Sequence, residues 1–149
     1  MQEFDNLYGM SEIRNWIKAI YRSVQYKKER NPDFSFLLEH PVFVGAPGTG
    51  KTSAAKILGK VFYALGLVST SRFCSYKAND LIAGFIGQTA LKTKDALARG
   101  RGGVIFIDEA YALAYDANSP GDSYKKEAVE YLLTFAEESR KDTVMILAG

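Results

Sequence analysis

Cysteine is almost absent from this chain: of its 149 residues only Cys74 is one. A single thiol closes no internal disulfide and builds no cysteine metal cluster, so the chain fits a reducing cytosol. Its apolar neighbours make Cys74 a packed small hydrophobe rather than a reactive group. Histidine is equally scarce. His40, the only one, stands before Pro41 and reads as a turn cap, not as a metal ligand or catalytic base. Charge of one sign is missing too: 19 basic and 17 acidic residues leave +2, a balance that gives no reason to expect nucleic acid or an anionic membrane as partner. No stretch approaches the ~18–20 apolar residues that span a bilayer. Met1 to Asp5 is acidic with no apolar run behind it, so no signal peptide is read. No repeat, low-complexity tract or linker divides the chain. What is present is 47% hydrophobic and 24% charged, the profile of one globular domain that buries roughly 68–70% of its unfolded surface.

The apolar pattern alternates between two periods. Ile13, Trp16, Ile17, Ile20, Tyr21 and Val24 line one face of a helix expected from about Ser11 to Lys28. Asn31-Pro32 stops it. Val42-Phe43-Val44 reads as a short buried strand. A helix from about Lys51 to Leu65 follows, closed by Gly66. Arg72 to Tyr76 is a second strand, and Asn79 or Asp80 is expected to cap a short helix at Leu81-Ile82. Residues 84–88 form a loop, and Thr89 caps a helix reaching about Ala98. Val104 to Ile107 is the strongest strand, and residues 116–122 form a loop. A helix from about Ser123 to Glu138 carries Ala128, Tyr131, Leu132 and Phe135 on its apolar side. Val144 to Leu147 closes the series. Continuous apolar strands alternating with helices predict an α/β fold with a parallel sheet covered on both faces. Ligands in such sheets bind beyond the carboxyl ends of the strands.

Two motifs lie at those ends. Gly45-Ala46-Pro47-Gly48-Thr49-Gly50-Lys51-Thr52 matches the phosphate-binding P-loop (Walker A) at all four fixed positions, between a strand and a helix. Glycines let consecutive N–H groups converge on phosphate oxygens, and the helix start adds its positive dipole end. Lys51 supplies a cation for the β/γ-phosphates, and the Thr52 hydroxyl is suited to Mg²⁺. Asp108-Glu109 ends the strongest strand 57 residues after Lys51, the Walker B pattern. Asp108 is expected to hold Mg²⁺ and Glu109 to act as general base toward the attacking water. The base-specifying motifs of small GTPases are missing, and small-molecule kinases do not ordinarily keep the Asp-Glu pair. The pair thus excludes some alternatives.

Gly84-Phe85-Ile86-Gly87-Gln88-Thr89-Ala90, the run from Gly102 to Tyr111, and Val144 to Gly149 together resemble the CbxX/CfxQ branch of AAA+ ATPases. That branch includes red-type Rubisco activases, stage V sporulation protein K and type VII secretion ATPases. The similarity extends over nearly the whole chain from Leu7-Tyr8-Gly9 onward. It implies a P-loop NTPase three-layer sandwich, the AAA+ large subdomain, with four of its five strands present and the small helical lid beyond residue 149. The nucleotide-binding set it implies is Tyr8, Gly9, Pro47, Gly48, Thr49, Gly50, Lys51, Thr52 and Ser53, with Tyr8-Gly9 at the adenine. Phe85-Ile86-Gly87 matches the family's pore loop, which faces the channel of a hexamer and grips a protein client. The alternative is that Phe85 packs back onto the sheet. In the family an arginine finger, a sensor residue and a fifth strand follow, so residues 1–149 alone are expected to be a weak ATPase. The expected role in full length is remodelling of a partner protein. A nucleotide-gated scaffold is the alternative, and a DNA-acting ATPase finds no basic stripe here. Arg99, Arg101, Arg140 and Lys141 read as solvated or dipole-compensating cations, and Tyr111 and Tyr115 as packing.

Overall fold

A computed structural model describes residues 11–31, 40–44, 50–83, 90–114, 116, 118 and 123–149. In chain order the elements are α1 (Ser11–Arg30), β1 (Val42–Phe43), α2 (Lys51–Ala64), β2 (Phe73–Lys77), α3 (Ala78–Ala83), α4 (Ala90–Gly100) and β3 (Val104–Asp108). A 3-10 turn (Ala110–Leu113), α5 (Ser123–Glu138) and β4 (Val144–Ala148) complete them. The sheet order is β1-β4-β3-β2 with every pair parallel, as the alternating pattern predicts.

Two cores sandwich the sheet. Alternate strand residues face opposite sides, so Val104 and Phe106 join α1 and α2 through Ile17, Val24, Ala54, Leu58 and Phe62. Ile105 and Ile107 join α3, α4 and α5 through Ala78, Leu81, Leu97, Leu132 and Phe135. Three layers result. The α1 stripe is narrower than expected, since Tyr21 is 40% exposed.

The end of α2 follows the expected punctuation. Gly66 takes φ +74°, a left-handed conformation that suits glycine. Its N–H donates to the Tyr63 carbonyl at 3.0 Å, and the Leu67 N–H donates to that of Phe62 at 2.9 Å. This is a Schellman closure, with Leu67 and Phe62 both buried. The Lys28 ammonium donates to the Leu65 carbonyl, tying α1 to the negative end of α2.

Three elements differ from expectation. β1 ends at Phe43 and Val44 is 79% exposed, because pairing with β4 runs only from Val42 opposite Leu147 to Phe43 opposite Ala148. β2 continues to Lys77, held by its register with Asp108, so α3 begins at once at Ala78. Asn79 and Asp80 therefore sit inside the first turn of α3 rather than capping it. After β3 the chain forms a 3-10 turn, for which the apolar pattern gives no signal. The expected cap Thr89 lies outside the described residues.

His40 is more than a turn cap. The Met145 N–H donates to its Nδ1 at 2.9 Å, so Nε2 carries the proton and donates to the Ala136 carbonyl at 2.6 Å. The Leu147 and Gly149 N–H groups donate to the Pro41 and Phe43 carbonyls. The imidazole thus continues the β1–β4 ladder by one rung and anchors the end of α5. Burial is the main cause that pushes its pKa below the usual value, and the nearby Arg140 adds to it.

Candidate nucleotide-binding site

The amino end of α2 and the carboxyl end of β3 meet on one side of the sheet. Gly50 precedes the helix at φ +89°, and its carbonyl accepts the first helical bond from Ala54 at 2.9 Å. A side chain at Gly50 would be strained there. The first N–H groups of a helix have no intrahelical acceptor. No acidic residue of α2 itself stands in its first turn, so within the helix nothing offsets the positive dipole end, which favours an anion. Thr52 and Ser53 are exposed on that turn.

Lys51 leads away from the helix toward the sheet. Its Nζ lies 3.5 Å from the Gly149 carbonyl oxygen at the end of β4. Gly149 in turn lies against the 3-10 turn: a Cβ placed there would be 3.5 Å from the amide nitrogens of Ala110 and Tyr111. Lys51, the end of β4 and the segment after Asp108-Glu109 are therefore in contact. The motif lysine and the acidic pair, 57 residues apart in sequence, converge where the fold places ligands.

The acidic pair has its own local geometry. Asp108 ends β3 on the α2 side, in parity with Phe106 and Val104. Its Oδ1 accepts the Glu109 N–H at 2.8 Å, which leaves lone pairs on Oδ2. Glu109 has φ 54° and ψ 43°, the only non-glycine with positive φ among the described residues. This turns the chain out of the strand, and the Glu109 carbonyl accepts from Ala112 at 3.0 Å to start the 3-10 turn. A left-handed backbone at a non-glycine residue is a local cost that clusters at functional sites.

The residues present fit Mg²⁺. Asp108 uses Oδ1 for the Glu109 N–H and keeps Oδ2, and Thr52, a hydroxyl residue, is exposed on the first turn of α2. Mg²⁺ typically takes one or two carboxylates and completes its shell with water and phosphate oxygens.

Of the nucleotide set, Gly50, Lys51, Thr52 and Ser53 stand at the start of α2, and Lys51 reaches Gly149, which lies against the turn that follows Asp108-Glu109. Tyr8, Gly9, Pro47, Gly48 and Thr49 lie outside the described residues, as do Phe85-Ile86-Gly87 and Tyr115. Tyr111, expected to pack, is 71% exposed beside Gly149. Arg99 and Arg101 are exposed, Arg101 over the Phe135 ring at 5.3 Å, away from the site. Arg140 pairs with Glu137 at 3.4 Å. Two groups that the structure sets beside the site residues carry no motif. The Gly149 carbonyl carries no side-chain signal, and Lys77 becomes a neighbour of Asp108 only through the β2–β3 register.

Residues 41–149 match the family described as ATPase family associated with various cellular activities (AAA). The chain is 35% identical to stage V sporulation protein K of Bacillus subtilis (strain 168), over 99% of this chain and 46% of that protein. It is 40% identical to the protein CfxQ homolog of Galdieria sulphuraria, over 96% of this chain and 47% of that one. With the chloroplastic ribulose bisphosphate carboxylase/oxygenase activase of Cyanidioschyzon merolae it shares 44% identity, over 74% of this chain and 35% of the activase. The chain spans about half the length of the first two. No helix among the described residues is long and apolar enough to cross a membrane. The chain belongs to the AAA family, within its CbxX/CfxQ branch.

Proposed function

We propose that this chain is the nucleotide-binding core of a Mg-ATP-dependent ATPase, a AAA+ P-loop NTPase. The observation that carries this is the contact of Lys51 with the end of β4 beside Asp108-Glu109. Lys51 binds the β/γ-phosphates and offsets the charge that builds up as the γ-phosphoryl departs. Thr52 and Asp108 are the residues that hold Mg²⁺, which when bound neutralises phosphate charge. Residues 45–50, with Ser53, contribute backbone N–H groups, and Tyr8-Gly9 contacts adenine. Glu109 accepts a proton from water as the water oxygen bonds to the γ-phosphorus. The bond from phosphorus to the bridging oxygen breaks, and ADP leaves with that electron pair.

In full length the protein self-associates as a hexamer, and hydrolysis moves Phe85-Ile86-Gly87 against a protein client. An activase named for another enzyme among the relatives supports a protein as client. The test is the Glu109→Gln variant of the full-length protein, measured for ATP affinity and phosphate release. Retained binding with phosphate release reduced at least about 100-fold is expected, at the lower end of what general-base removal costs. Unchanged turnover removes Glu109 from its role.

A further inference from the structure

Lys77 is the last residue of β2, and its Cα is the register partner of Asp108. Strand alternation places Phe73, Ser75 and Lys77 on the α2 side of the sheet, the same side as Phe106 and Asp108. Lys77 is exposed. Neither Asp108 nor Asp80 forms an ion pair with it. Lys56, another cation on this face, lies over the Phe73 ring at 5.8 Å. Phe73 is four residues back along the strand, ~13 Å away. A lysine whose charge rides on a flexible four-carbon stem therefore has its Cα level with that of the aspartate assigned to the metal, on the α2 side of the sheet.

We propose that Lys77 is a positioning residue of the metal–phosphate site. Its charge acts through space, strengthening the hold on metal-free nucleotide and weakening the hold on the metal. This rests on the Mg-ATP reading above. At a separation of about 7 Å in water, one positive charge repels two by enough to change a binding ratio several-fold. Salt screens that repulsion over about 10 Å at 0.1 M. The quantity to measure is the ratio of ADP affinity with Mg²⁺ to ADP affinity with EDTA, by calorimetry on this chain. For Lys77→Gln the ratio is expected to rise about fourfold over the unmodified protein at ~20 mM salt, and less than about twofold at ~0.5 M salt. Lys77→Arg, which keeps the charge, is expected to keep the unmodified ratio. A merely structural role would show neither the salt dependence nor the arginine rescue. An unchanged ratio in Lys77→Gln, with Mg²⁺-dependent ADP binding intact in the unmodified protein, overturns this inference alone. No ADP binding by the unmodified protein under either condition overturns the Mg-ATP reading with it.

Discussion

The left-handed backbone at Glu109 predicts that the residue proposed as general base sits at a cost in stability. A non-glycine side chain at φ 54° brings Cβ against the following carbonyl, a penalty of about 1–2 kcal/mol. Glycine escapes it but carries about 0.5–1 kcal/mol of extra backbone entropy into the unfolded state. The fair comparison is Glu109→Gly against Glu109→Ala, because both remove the carboxylate and only one removes Cβ. Netting the two effects, Glu109→Gly is expected to be the more stable by about 0.5–1 kcal/mol. For a chain of 149 residues that is a melting-temperature difference of roughly 1–4 °C. Thermal melts followed by circular dichroism under one buffer condition measure it. An alanine variant as stable as the glycine variant would refute the reasoning, since it would mean that the turn after β3 does not hold Glu109 left-handed.

Other outcomes follow from particular contacts. The neutral His40 that accepts from Met145 must become a donor when protonated, and two N–H groups would then face each other. Its folded pKa is lowered, so its stabilising contribution is full above its unfolded value of about 6.5. That contribution is lost as pH falls below 6.5 toward the folded value. Melting temperature is expected to drop between pH 7.5 and 5.5, and the drop to be smaller in His40→Asn, whose amide oxygen keeps the Met145 bond. A variant with the same pH slope as the unmodified chain contradicts this. A Cβ at Gly103 would lie 2.3 Å from the Arg72 carbonyl oxygen, which also accepts from Val104 at 2.9 Å. Gly103→Ala is expected to cost about 3 kcal/mol, the upper range for overpacking, in urea unfolding; a cost below about 1 kcal/mol means that the β2–β3 entrance is looser than described. Phe85→Ala in full length is expected to abolish client remodelling with ATP binding retained, and unchanged remodelling would remove Phe85 from the pore.

The parts legible in sequence are those decided by short-range pattern. β3 and α5 carry strong apolar periodicity and sit as expected, and Gly66 ends α2 because a left-handed C-terminal residue needs a glycine. The acidic pair and the P-loop lysine are legible as motifs because that chemistry constrains residue type at fixed spacing. What was missed depends on neighbours distant in sequence. Tyr111 looks like a packing residue until the 3-10 turn exposes it. Asn79 and Asp80 look like caps, yet the ladder to Asp108 carries β2 past the point where a cap would act. The double role of His40 requires both Met145 and Ala136, more than 90 residues away. Lys77 has no motif at all, and only the register between β2 and β3 brings it to the site.

The central claim is that Lys51 and the end of β3 form one Mg-ATP site, and nucleotide binding tests it most directly. Calorimetric titration of Mg-ATP into this chain and into its Lys51→Ala variant is expected to give saturable binding in the first and none measurable in the second. Equal affinity in the two would contradict the account.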